Sequence, residues 1–330
     1  MSNSTLVSLF DRGAKTIAAA SLAAAFLCGS AIAGDKIGIA QFGKHPQLDA
    51  VVDAFKAELK AEGFTDLEFV ENQINFDTNL IPQMVTALQA ASPKLILSVT
   101  TPVSQGTKQI VAGSNIPVIF AAVTDPVAAK LVPAWDKADA MMTGASDLQD
   151  IDAIMAFTRK LLPDAKRLGF PYNPGEDNDV AALKIVQDIA PKHGFSVVEV
   201  GVDNSNDIPV RIASLKGKAD VIYVPGSNLL QPAVPAVAAA ANEAGIPVVN
   251  ASQDAVEKGL VVASFEVSYE QVGKNAGKLA AAYLKGTPIA DLAPVKPAYE
   301  DHRALINLTV LKASGRELPA ELKDCNCFVE

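Results

Sequence analysis

Short runs of almost continuous apolar residues alternate along the chain with longer stretches in which apolar residues recur every three or four positions. The first kind reads as strands of a parallel sheet covered on both faces, the second as amphipathic helices. The pattern predicts strand over 36–42, helix over 48–62, strand over 67–71, helix over 78–91, strand over 95–99, helix over 102–112 and strand over 117–122. In the first helix Leu48, Val51, Val52, Phe55 and Leu59 form one stripe, and Gly63 follows where a left-handed cap is wanted. A second series runs strand 167–171, helix 177–192, strand 196–202, helix 208–216, strand 220–224, helix 229–244 and strand 247–250. The tail adds a strand (260–265), a long helix (269–285) and a final helix around 304–314.

The two series are copies. Gly38-Ile39-Ala40-Gln41-Phe42 is answered by Leu168-Gly169-Phe170-Pro171-Tyr172, and Glu62-Gly63-Phe64 by His193-Gly194-Phe195. Ile81-Pro82 recurs as Ile208-Pro209, Leu95 to Val99 as Val221 to Val224, and Ile116-Pro117-Val118-Ile119 as Ile246-Pro247-Val248-Val249. Five matches in one order, at offsets of 126 to 131, argue for internal duplication rather than chance. Right-handed crossovers turn each copy into a doubly wound sheet. The expected fold is therefore α/β, with two doubly wound parallel-sheet lobes related by the repeat and hinged. Residues 34–147 with about 252–297 are expected to form the N-terminal lobe, and 148–251 with about 298–330 the C-terminal lobe. The tail elements, which find no partner in the repeat, are expected to cross between the lobes.

Composition narrows the function. Of 330 residues 49% are hydrophobic and 20% charged, a globular balance, and the length suits two domains. A net charge of −9 without a basic run argues against nucleic acid as a partner. Three His and three Cys give no metal or disulfide framework, and no cofactor motif is present. Near the C-terminus Cys325 and Cys327 are read as a terminal disulfide or two free thiols.

The first 33 residues read as a secretory signal. Arg12 and Lys15 precede an Ala-rich apolar run from Thr16 to Leu27, and Ala31-Ile32-Ala33 offers a small-x-small cleavage site. That run is too short to span about 30 Å of hydrocarbon. Phe26-Leu27 before Cys28 fits a lipoprotein signal badly. Cleavage after Ala33 removes Asp11, Arg12 and Lys15, leaving a net charge of −10 and no apolar run of membrane length. The expected location is the periplasm.

Ligands of open α/β sheets bind beyond the carboxyl ends of the strands. That rule selects Gln41, Phe42 and His45; Thr100, Thr101 and Ser104; Thr124 and Asp125; Tyr172, Asn173 and Glu176; Ser227 and Asn228; Asp254; and Phe265 and Glu266. Thr100 to Ser104 opens a helix, where free N–H groups and the dipole could cradle a carboxylate. Phe42, Tyr172 and Phe265 are the aromatic candidates. Asp77, Thr101, Asp150 and Asn228 also read as plain helix caps. No catalytic constellation is visible, so an enzyme is not expected.

The chain resembles the ABC-transporter solute-binding proteins of the tryptophan/tyrosine-binding type, which have a type I periplasmic-binding fold. The resemblance covers nearly all of 35–322. It is carried by Ile37 to Gln41 with His45 to Asp49, Val123 to Val127, Thr143-Gly144-Ala145-Ser146-Asp147, Tyr172-Asn173-Pro174-Gly175-Glu176, Tyr223-Val224-Pro225, and Gly273 with Gly277. It implies a protein that captures a small molecule between its lobes and presents it to a membrane permease, and a monomer is expected because the cleft must open freely. The alternatives are a periplasmic sensor component and, further off, a secreted enzyme on the same fold. Gly226-Ser227-Asn228 stands where the family often has Thr-Asp-Asn, and Ser268-Tyr269-Glu270 where it often has Asp-Tyr-Tyr. An acidic partner for a ligand ammonium must then come from Glu266, Asp254 or Asp125. Failing these, the expected ligand is carboxylate-bearing or a neutral ring without an amine.

Overall fold

The computed structural model describes residues 34–330, so the signal segment and its cleavage after Ala33 lie outside the described residues. The first sheet contains β1 (Lys36–Gln41), β2 (Glu68–Gln73), β3 (Leu95–Val99), β4 (Val118–Ala121) and β5 (Met142–Ala145), in the order β2-β1-β3-β4-β5, all parallel. Helices α1 (Pro46–Ala61), α2 (Ile81–Ala90) and α3 (Thr101–Ile110) connect its strands. The chain then passes to the second lobe through α4 (Ile151–Leu161), β6 (Arg167–Tyr172), α5 (Asp177–Ile189), β7 (Ser196–Gly201), α6 (Ile208–Ala213), β8 (Val221–Val224), α7 (Val234–Ala244), β9 (Val248–Asn250), α8 (Gln253–Glu257) and β10 (Ala263–Val267). It returns to the first lobe as α9 (Tyr269–Leu284) and ends in the second as β11 (His302–Asn307), α10 (Leu308–Ala313) and β12 (Phe328–Val329). The second sheet runs β12-β11-β10-β9-β8-β6-β7, parallel except where β11 meets β10.

The duplication is built into both sheets. The order β7-β6-β8-β9-β10 reproduces β2-β1-β3-β4-β5, so matched segments hold matched positions. This corrects two expectations. The tail strand does have a partner in the repeat: β10 is the second copy's counterpart of β5. Residues 252–267, expected with the first lobe, therefore belong to the second sheet, where Ala263 and Ser264 pair with Val249 and Asn250. Each fifth strand is followed by a helix that crosses to the other lobe. α4 packs on α5, and α9 packs along α1. Chain crosses between the lobes at 146–150, 267–268 and 298–301.

The expected helix around 304–314 is strand as far as Asn307. Ala304 and Ile306 pack into one core, and Leu305 into another. That two-residue alternation is a strand's, and it serves because β10 leaves an open edge for pairing. Along β8, Val221 and Tyr223 likewise face one layer, Ile222 and Val224 the other. The first lobe has a core of its own, closed by Val272, Ala276 and Leu279 from α9. Helices α1 and α9 approach so closely that a Cβ on Gly273 would lie 2.3 Å from the Val51 carbonyl oxygen, and one on Gly277 would lie 2.6 Å from Glu58 Cβ. Cys325 and Cys327 are disulfide-bonded. Among the described residues no helix is long and apolar enough to cross a membrane.

Candidate functional site

The carboxyl ends of the first sheet's strands face the second lobe across a void. The order of strands sets the order of its lining. Asp147 follows β5, Ala122 and Thr124 follow β4, and Thr100 and Thr101 follow β3. His45, Gln47 and Leu48 follow β1, and Phe76 follows β2. The second lobe supplies Asn178, Gly226 to Asn228, Gln231 and Pro232, and Tyr269 completes the wall from the start of α9.

Three of the lining residues have left-handed backbone without being glycine: Phe76 (φ 64°), Thr100 (φ 88°) and Ala122 (φ 53°). Such strain costs on the order of 1–3 kcal/mol per residue and tends to gather where a ligand is handled. At Thr100 it turns the chain sharply from β3 into α3. No side chain caps α3, and the hydroxyls of Thr100 and Thr101 are buried without a hydrogen-bond partner. Unpaired buried hydroxyls are rare in folded proteins. Together with the free N–H groups of a helix start they form a ready set of donors for a carboxylate.

Asp147 is 5% exposed. Its Oδ2 accepts from the Tyr269 hydroxyl at 2.9 Å and its Oδ1 from Thr124 Oγ1 at 3.2 Å. Among the described residues no cation pairs with it. Burial pushes its carboxyl above the usual range, and the two hydroxyl donors pull it back only in part. In the second lobe Glu176 accepts from Asn228 Nδ2 at 2.7 Å and its backbone N at 3.2 Å. Asp179 accepts from Asn178 Nδ2 at 2.9 Å and from Asn173 N at 2.7 Å. Burial first, then Glu176, raises Asp179 to about 8. These two acids fix the amides of Asn178 and Asn228, which line the void.

Six of the residues selected from sequence line this void: His45, Thr100, Thr101, Thr124, Ser227 and Asn228. The other ten do not, for local reasons. Gln41 braces its own loop through Gly43 O and Asp49. Phe42 lies under Phe76, edge to face. Ser104 is bonded to Ser98 and to Thr100 O. Asp125 accepts from Val127 N and Ala128 N, closing a turn. Tyr172 packs on Phe170, and Asn173 and Glu176 hold the loop behind Asn178 and Asn228. Asp254 pairs with Lys258 at 2.8 Å, Phe265 stacks on His302, and Glu266 sits beneath Gln253 N. The acids expected for a ligand ammonium, Glu266, Asp254 and Asp125, are thus all outside the void, and Asp147 is the carboxylate that lines it. Sequence reasoning passed over Asp147, Phe76 and Tyr269. The strand-end rule would have found Asp147 had Met142–Ala145 been read as a strand.

Residues 36–324 match the family described as ABC transporter substrate binding protein. The chain is 34% identical over 280 residues to a tyrosine-binding protein of Clostridioides difficile (strain R20291), covering 84% of this chain and 80% of that one. An ABC domain from Streptococcus pneumonia in complex with L-Trp superposes with a TM-score of 0.84 at 27% identity, over 90% of this chain and 100% of the other. A ligand-free, open substrate-binding protein with adhesive properties from Clostridium difficile gives a TM-score of 0.69 at 32% identity, over 90% and 99% of the two chains. Matched over nearly its whole described length, the chain belongs to the ABC transporter substrate-binding protein family.

Proposed function

We propose that the protein is the periplasmic solute-binding component of an ABC importer, that it captures an aromatic amino acid as a zwitterion between its lobes, and that it passes the molecule unaltered to a membrane permease. The observation that carries this reading is a pair of unmet demands on one void: a buried carboxylate without a cation at Asp147, and two unpartnered hydroxyls at an uncapped helix start at Thr100 and Thr101. An α-ammonium answers the first and an α-carboxylate the second. The order of the strands then directs the ligand side chain toward Leu48 and Phe76, the apolar end of the void. The ligands named for the similar proteins, tyrosine and L-Trp, have this chemistry.

Closure follows from the same geometry. A ligand that touches both lobes only when they meet shifts the population toward the closed form by its differential affinity. The protein acts as a monomer so that the lobes part freely, and secretion removes the first 33 residues. Calorimetric titration with L-tyrosine, L-tryptophan and L-phenylalanine, beside their deaminated acids and decarboxylated amines, tests the reading. The amino acids are expected to bind at least 10-fold more tightly than either truncated series, since losing a charge-assisted hydrogen bond costs about 1.5–3 kcal/mol. Deaminated acids that bind as well as the amino acids would overturn it. Mass spectrometry of recovered ligand checks that it leaves unchanged.

A further inference from the structure

In the capture reading the ligand side chain points to Leu48 and Phe76, but that end of the void is not apolar throughout. His45 and Gln47 line it too, from the cap and the first turn of α1. Both follow β1, which adjoins β3 in the sheet, and Phe76 follows β2, one strand further out. Neighbouring strands lie about 4.8 Å apart. A ring whose carboxylate is held after β3 therefore ends roughly one to two strand spacings away, beside these two polar side chains.

The protein's own hydrogen bonds decide which atom of each is left over. Gln47 Nε2 donates to Ala251 O at 2.9 Å and to Glu266 Oε2 at 3.3 Å. Both partners are acceptors, so the amide cannot be turned round, and Oε1 is the acceptor that remains. Gln47 is 8% exposed, so that acceptor is withheld from bulk water. His45 caps α1, its Nδ1 accepting from Gln47 N at 3.4 Å. A ring nitrogen that accepts carries no proton, so Nε2 carries one and is a donor. Among the described residues no protein group bonds to Gln47 Oε1 or to His45 Nε2. Of the charges around His45, Asp254 and Lys258 pair with each other at 2.8 Å, and Asp49 accepts from Gln41 at 2.7 Å.

One donor and one acceptor, two residues apart at one helix start, match a hydroxyl, which accepts one hydrogen bond and donates another. We propose that His45 and Gln47 read the phenolic hydroxyl of tyrosine: His45 Nε2–H donates to the phenol oxygen, and the phenol O–H donates to Gln47 Oε1. An indole offers only a donor and satisfies Gln47 alone, and a phenyl ring satisfies neither. Tyrosine is therefore the preferred ligand. This rests on the two-lobe capture reading above and names the residues that choose among its aromatic ligands.

Titration calorimetry with L-tyrosine and L-phenylalanine, which differ by that hydroxyl alone, tests the pair. The wild-type protein is expected to bind tyrosine at least about 10-fold more tightly, because a site built to bond a hydroxyl leaves its own polar groups unpaired against the analogue. His45→Asn keeps a helix cap and removes the ring donor, and Gln47→Met keeps the chain length and removes the acceptor. Each is expected to cut the tyrosine-to-phenylalanine ratio by about threefold or more. A purely structural loss, including that of the Gln47 tie to the second lobe, weakens both ligands alike and leaves the ratio. A wild-type ratio near one, or a ratio that either substitution leaves unchanged, overturns the pair. If neither amino acid binds, the zwitterion reading fails, and the same ratio is read on their deaminated acids. A preference there that both substitutions reduce supports the pair, and its absence, or no binding at all, overturns it.

Discussion

The Tyr269 hydroxyl donates to Asp147 Oδ2 at 2.9 Å across 122 positions of sequence. Asp147 lies in the first segment that crosses between the lobes, and Tyr269 opens α9 immediately after the second. One hydrogen bond therefore joins two crossing segments at the wall of the void. In the proposed capture cycle, the carboxylate offered to the ligand is held between two crossing segments, and this hydrogen bond links occupancy of the site to the angle between the lobes.

That coupling separates affinity from stability at Asp147. The Asp147→Asn change keeps an acceptor for Tyr269 or Thr124 and removes a charge that burial disfavours. The ligand-free protein is expected to melt at or above the wild-type temperature. Amino-acid affinity is expected to fall at least 10-fold, the loss of one charge-assisted hydrogen bond. Differential scanning and titration calorimetry on the same preparation measure the two effects.

At Thr100 strain and function oppose each other. With φ at 88°, the position suits glycine better than a β-branched residue. Thr100→Gly is expected to stabilise the ligand-free protein by about 1 kcal/mol and to weaken ligand binding by removing an unpartnered hydroxyl. Denaturant midpoints and calorimetry test the two halves of the expectation.

The α1–α9 contact admits no side chain at Gly273. A Cβ there would meet the Val51 carbonyl oxygen at 2.3 Å, and backbone cannot swing away as a side chain can. Gly273→Ala is expected to lower stability by about 1–3 kcal/mol, read as a lower urea midpoint, by prising apart the helices that hold the first lobe's core.

The pH dependence of folding has a definite sign. Burial, then the neighbouring Glu176, pushes the carboxyl of Asp179, 1% exposed, far above that of an unfolded aspartate, and burial raises Asp147 as well. A raised carboxyl contributes stability that is fully present below its unfolded pKa and is lost as pH rises through the folded value. The melting temperature of the ligand-free protein should therefore rise as pH is lowered from 8 to about 5. His45, lowered by burial, opposes this in the acid half of the window. Asp179→Asn should flatten the profile, and a melting temperature that climbs with pH in this range would contradict the assignment.

The lobes were legible because their determinants are local. The stripe from Leu48 to Leu59 and the run from Leu95 to Val99 each announce one element, and the repeat announces their arrangement. Met142–Ala145 was missed because four residues with a glycine make a weak strand signal. Gly144 is there because a Cβ would lie 2.0 Å from Phe120 O, a contact between neighbouring strands. Losing that strand hid both the order of the fifth positions and Asp147. The site was half legible for a related reason. Thr100, Thr101 and Asn228 follow strands that the pattern shows plainly. Phe76 reaches the void through a left-handed turn, and Tyr269 through a helix that returns from the other lobe, and neither route leaves a periodic trace.

The central claim is that the void holds a zwitterion, with its ammonium at Asp147 and its carboxylate at the start of α3. A crystal structure of the protein with L-tyrosine tests it most directly. The account predicts the ligand nitrogen within hydrogen-bond reach of an Asp147 oxygen, the carboxylate against the hydroxyls of Thr100 and Thr101, and the ring toward Phe76. A ligand bound with its carboxylate away from α3, or one that leaves Asp147 without a cation, would contradict it.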